Sequence, residues 1–147
     1  MPNLTQLPLF LTLAGALPFV AGAATLWFGP AAYSPLMLQG VITYAAVILS
    51  FLGGIQWGVG VSISDAAPKS AQSLFLLSVV PSILAWCMLF IDANNVKLIV
   101  AVFLFCFVWA VDALLHMQKL IPGWFFRLRS IITPLVVASL LAALPRA

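Results

Sequence analysis

Asp112 and His116 stand four residues apart in a stretch of chain that is otherwise almost wholly apolar. In a helix, residues i and i+4 share a face, so the pair would present a carboxyl and an imidazole together. An acid inside a membrane span is costly, and it faces protein or a water cavity rather than lipid. Two chemistries fit this pair. One is a structural ion pair with Arg127 or Arg129, which follow in the next charged cluster. The other is a site that handles protons or headgroups. Gln56 and Trp57 are expected in the same half of the molecule. With Asp112, His116 and Arg129 they make up the candidate polar cluster.

Little else in the chain suggests catalysis. His116 is the single histidine, which excludes any site built on several histidines of this chain. No P-loop, nucleophile elbow, HExxH or pair of carboxylates at catalytic spacing occurs. Cys87 and Cys106 sit inside apolar runs, where small packing residues belong, and not in the loops that carry a disulfide framework. Asp92, beside Asn94 and Asn95, is turn chemistry rather than a ligand set. No catalytic residue, metal or cofactor is expected, and the balance leans against an enzyme.

These few polar groups need a scaffold, and composition says which. Charged residues make up 6% of the chain and hydrophobic residues 65%. A soluble domain carries about a quarter charged residues, so the outer surface here must meet lipid. About 20 apolar residues cross the ~30 Å hydrocarbon core as a helix. Five runs qualify, at about 7–28, 36–63, 70–91, 96–116 and 128–144. The expected fold is an all-α membrane protein, a compact bundle of five transmembrane helices with short loops. Residues 1–147 form a single integral membrane domain. Ala21-Gly22-Ala23 has the outline of a cleavage site. The first six residues carry no Lys or Arg, so the first run reads as a retained helix rather than a signal peptide. Pro18, Pro81 and Pro134 fall within or near the start of spans, where neighbouring helices can compensate the lost hydrogen bonds.

The longest connection is 117–127. Its Trp124-Phe125-Phe126 cluster reads as an interfacial segment, because aromatic rings settle at headgroup depth. Trp27, Tyr33, Trp86 and Phe90 read as belt anchors at the opposite interface. With the N-terminus cytoplasmic, Lys69, Lys119, Arg127 and Arg129 lie inside, and Lys97 and Arg146 lie outside. The positive-inside rule therefore favours a cytoplasmic N-terminus and an outside C-terminus, and a bacterial inner membrane is the expected location. The net charge of +3 is too small and scattered for nucleic acid. The expected partners are the lipid bilayer and, within it, a second copy or another membrane protein.

Small residues recur every fourth position along the second run: Ala46, Ser50, Gly54, Gly58 and Ser62. They share a helix face, and Gly54 to Gly58 is a GxxxG step, a packing device in lipid. The expected use is close packing against helices of the same chain, with an interface to another chain as the alternative. Ser78 and Ser82 form a second small pair. They would pack into that groove or serve the backbone freed by Pro81.

At this stripe the sequence resembles a known family. Tyr44-Ala45-Ala46-Val47-Ile48-Leu49, leading into Ser50-Phe51-Leu52-Gly53-Gly54-Ile55-Gln56-Trp57-Gly58, is similar to the uncharacterised membrane family related to mitochondrial transmembrane protein 69. A second block agrees: Trp109, Asp112, then Pro122, Trp124 and Phe125, leading to Leu128-Arg129 and Thr133. In the family pattern the residue before the signature tryptophan is often His. Gln56 stands there in this chain, which argues against metal binding or proton relay at that position. The resemblance implies a topology and carries no activity. Three functions are weighed from the residues: first, a non-enzymatic scaffold, assembly or accessory protein; second, a component of an oligomeric transporter of small molecules or protons; third, an enzyme acting on lipid or quinone, with Asp112 and His116 as acid and base.

Overall fold

The computed structural model describes residues 6–147; residues 1–5, most of the stretch weighed above for a basic leader, lie outside the described residues. In chain order the elements are α1 (Gln6–Phe28), a 3-10 turn (Ala31–Tyr33), α2 (Ser34–Ile63), α3 (Pro68–Met88), α4 (Asn94–Met117), α5 (Gly123–Ala143) and a closing 3-10 turn (Leu144–Arg146). No strand occurs among the described residues. All five long helices are long and apolar enough to cross a membrane. At 1.5 Å per residue the 30 residues of α2 reach about 45 Å, more than the hydrocarbon core, so α2 tilts or projects beyond it.

Proline sets several helix starts. Proline occupies the first turn of α2 and of α3, where its missing N–H would have no intrahelical partner anyway. Pro122 precedes α5 in extended backbone, and its carbonyl accepts the N–H groups of Phe125 and Phe126 at 3.1 and 3.2 Å. Those bonds start the helix at Gly123, not near Leu128 as the apolar run suggested. Trp124, Phe125 and Phe126 are therefore the first turn of α5 rather than a loop lying along the interface. The connection from α4 shortens to residues 118–122.

That short connection is a Schellman turn. Leu120 N–H donates to the Leu115 carbonyl at 2.9 Å, and Lys119 N–H donates to the His116 carbonyl at 2.9 Å. Lys119 takes the left-handed conformation, φ 59°, where glycine usually sits. Leu120 packs on the cluster that contains Leu115, the apolar contact that accompanies this motif. The turn folds α5 back along α4 and so positions the site described below. A left-handed lysine costs about 1–2 kcal/mol. Lys119→Gly should accordingly raise stability by about 1 kcal/mol, read as a higher melting temperature in detergent.

The small residues of α2 pack differently from expectation. The face turned toward the bundle is Ala45, Leu49, Leu52, Gly53, Gln56 and Gly60, all buried. Gly53 lies against the backbone carbonyl of Ser78 on α3, and Gly60 lies under the Phe75 ring. Ala46 is buried, but Ser50, Gly54, Gly58 and Ser62 are exposed on the lipid side, and nothing approaches a Cβ built at Gly54 or Gly58 within 4 Å. The every-fourth-residue stripe is thus not the packing groove of this chain. A helix repeats every 3.6 residues, so a strict four-residue repeat drifts off the buried face. Ser78 meets α2 at Gly53, and its hydroxyl donates to the Phe75 carbonyl at 2.9 Å.

The main core joins all five helices through residues such as Phe19, Ile42, Leu49, Met88, Phe105 and Leu140. Phe19 and Phe105 meet edge to face with centroids 5.8 Å apart. Tyr44 donates its hydroxyl to the Gly15 carbonyl at 2.9 Å and ties α2 to α1. Trp27 does more than anchor in a belt. Its indole N–H donates to the Ala142 carbonyl at 2.7 Å, and the Arg146 guanidinium lies 4.4 Å from its ring centroid. Cys87 and Cys106 are exposed rather than packed inside. A thiol is small and weakly polar, so it loses little by facing lipid.

Candidate functional site

Three helix ends meet at one level of the bundle. Gln56 on α2, Asp112 on α4 and Arg129 on α5 each lie about one and a half to two turns inside the end of their helix. All three are nearly sealed, at 1%, 3% and 5% exposure. Arg129 donates from Nε to Asp112 Oδ2 at 2.9 Å, closing a buried ion pair. Gln56 donates from Nε2 to Asp112 Oδ1 at 3.0 Å and to the Val108 carbonyl at 3.1 Å. Both carboxylate oxygens are engaged, so one acid fastens three helices. Charge-assisted hydrogen bonds of this kind are about twice as strong as neutral ones.

The other two members of the expected cluster stand apart from this network. His116 stacks on Phe126 at 4.7 Å and 16°. It makes no hydrogen bond to Asp112, and its Nδ1 is buried without a partner. Trp57 turns outward and tilts against Phe75 of α3 at 4.7 Å. Adjacent residues of a helix point about 100° apart, so an inward Gln56 sends Trp57 to the outer side.

The seam between α4 and α5 holds further residues, outside the expected polar cluster. Phe126 stacks on Trp109 at 6.0 Å as well as on His116. Trp109 donates its indole N–H to Ser130 Oγ at 3.1 Å. The signal was present in the spacing: Trp109, Asp112 and His116 are i, i+3 and i+7, one face of α4. Beyond Asp112, Thr133 lies one turn after Arg129. Its Oγ1 and Arg129 Nη2 are buried with no hydrogen-bond partner. Among the described residues no group of three or more His, Cys, Asp or Glu is placed to hold a metal ion.

Five apolar helices closed around a buried polar lock define a polytopic α-helical integral membrane protein. The chain belongs to the family described as protein of unknown function DUF3429, whose model matches residues 4–145. It is 35% identical over 140 residues to transmembrane protein 69 of Xenopus tropicalis, covering 92% of this chain and 53% of the relative. It is 29% identical over 141 residues to transmembrane protein 69 of Mus musculus, covering 92% of this chain and 54% of the relative. The chain thus spans about half the length of these curated relatives. No solved structure matches it.

Proposed function

We propose that this integral membrane protein is a non-enzymatic scaffold, assembly or accessory protein. The observation that carries the reading is the engagement of Asp112, whose two oxygens are taken by Gln56 and Arg129. A proton carrier, or an acid or base acting on lipid or quinone, must reach water or substrate with its carboxyl group. Asp112 instead presents both oxygens to side chains of the bundle. Its role is to fix how α2, α4 and α5 sit together. The alternatives are a component of an oligomeric transporter of small molecules or protons and a lipid- or quinone-modifying enzyme; proton transfer at Asp112 in either would need its carboxyl released.

On this reading the partner lies within the bilayer and is a second copy or another membrane protein. The open side of α2 at Ser50, Gly54 and Gly58 offers the close backbone approach that helices use in lipid. We also propose a bacterial inner-membrane location with the N-terminus cytoplasmic and the C-terminus outside, supported by the Lys and Arg count.

Purified protein in vesicles loaded with a pH-sensitive dye should leak protons no faster than protein-free vesicles. A leak above that baseline contradicts the accessory reading and favours the transporter. Reporter fusions at Lys69, Asn94, Lys119 and the C-terminus should alternate in, out, in, out. A cytoplasmic C-terminus contradicts the orientation.

A further inference from the structure

A cavity of about 410 Å³ lies among α1, α2, α4 and α5. Its walls are mostly aliphatic and aromatic. Of its lining residues, Leu11 and Phe51 are the most exposed, at 58% and 64%, and mark its mouth. Leu11 lies about a turn and a half inside α1, and Phe51 lies about three turns short of the end of α2. The mouth at Leu11 and Phe51 therefore opens sideways, between α1 and α2.

Arg129 and Thr133, on successive turns of α5, are polar residues among those that line this apolar space. Both are 5% exposed. Arg129 Nη2 and Thr133 Oγ1 are two of the four buried side-chain atoms without partners among the described residues, the others being Gln56 Oε1 and His116 Nδ1. A buried donor left unpaired costs free energy, and in lipid no bulk water is at hand to pair it. A guanidinium can only donate, while a hydroxyl rotates to donate or accept. The pair therefore calls for an acceptor. Arg129 is already neutralised by Asp112, so an anion brought to it would add an uncompensated buried charge. An uncharged acceptor carries no such penalty.

We propose that the cavity binds a neutral lipid with a carbonyl at one end of a hydrocarbon tail, the chemistry shared by quinone rings and acyl esters. The carbonyl sits against Arg129 and Thr133, and the tail leaves between Leu11 and Phe51 into the bilayer. At about 30 Å³ per heavy atom, the share of a water molecule, the space holds roughly a dozen such atoms. That is enough for the head and the first part of the tail. This site goes beyond the accessory reading, and its test is independent of proton leak.

Native mass spectrometry of the protein released from detergent would use four probes: a quinone with a decyl tail, monodecanoylglycerol, decanoate and decane. At least one carbonyl probe should bind one to one, with decanoate and decane at least about tenfold weaker. Preference for the quinone or the glyceride identifies the source of the carbonyl. Thr133→Val, which leaves the Asp112–Arg129 pair untouched, should weaken the bound carbonyl probe about three- to tenfold, as for one lost neutral hydrogen bond. Gly15 also lines the cavity, and a Cβ there meets only the Tyr44 hydroxyl, at 3.9 Å. Gly15→Leu should fold and abolish binding. Equal binding of decane, tighter binding of decanoate, binding that survives Gly15→Leu, or no binding by either carbonyl probe would overturn the proposal.

Discussion

Asp112→Asn should destabilise the folded protein by about 3–5 kcal/mol, the cost of breaking one side of a buried ion pair. Asparagine has the same shape, so packing is preserved and the effect isolates the charge. Its carbonyl can still accept from Gln56 Nε2, but its amide N–H₂ then faces Arg129 Nε, donor against donor. Turning the amide over moves the same conflict to Gln56. Either way a guanidinium that is 5% exposed loses its counter-ion. Thermal or denaturant unfolding in detergent measures the loss. Replacing Gln56, Asp112 and Arg129 together by Leu, Leu and Met should recover most of it, because apolar groups of similar volume often replace a buried ionic network without penalty.

Gly53→Leu should reduce folded yield sharply, whereas Gly54→Leu and Gly58→Leu should leave it unchanged. A Cβ at Gly53 would run into the Ser78 carbonyl oxygen and come within 3.1 Å of Ser82 Oγ. The carbonyl belongs to the backbone of α3, so it cannot swing aside, and the two helices must separate. Helix association in lipid rests largely on van der Waals contact. Overpacking of this kind costs about 1–3 kcal/mol and sometimes more. At Gly54 and Gly58 a side chain enters open space, so stability should move by less than about 0.5 kcal/mol. Size-exclusion chromatography of the three variants in detergent separates these outcomes.

The contrast between Gly53 and Gly54 shows where the sequence is silent. Long apolar runs mark helices because the bilayer demands them, and all five were legible for that reason. Which side of a helix faces its neighbours is less legible, since lipid is as apolar as a protein core. Hydrophobic contrast therefore gives no direction for α2. Gln56 was the usable signal. A buried amide must face protein, and Gly53 and Gly60, at i−3 and i+4, share its side. The stripe through Gly54 and Gly58 instead accompanies Trp57 on the outer side.

That Asp112 pairs with a cation from the start of α5 was legible from cost, since a carboxylate at that depth needs one; that Arg129 rather than Arg127 supplies it is seen in the structure. The role of Gln56 as the second donor to Asp112 was not legible, because side-chain directions on α2 were unknown. His116 shares a face with Asp112 but finds its partner in Phe126. That contact depends on the start of α5 at Gly123. Trp124, Phe125 and Phe126 have the composition of an interfacial belt, and composition alone does not show that Pro122 launches a helix there.

The Gln56–Asp112–Arg129 network ties α2, α4 and α5 together. A double-mutant cycle tests it most directly, with Asp112→Asn, Arg129→Gln and the double variant unfolded reversibly in mixed detergent–lipid micelles. The structure predicts strong coupling, with the double variant at least about 2 kcal/mol more stable than the sum of the single losses implies. Additivity within about 0.5 kcal/mol would contradict a structural pair and return Asp112 to the groups available for chemistry.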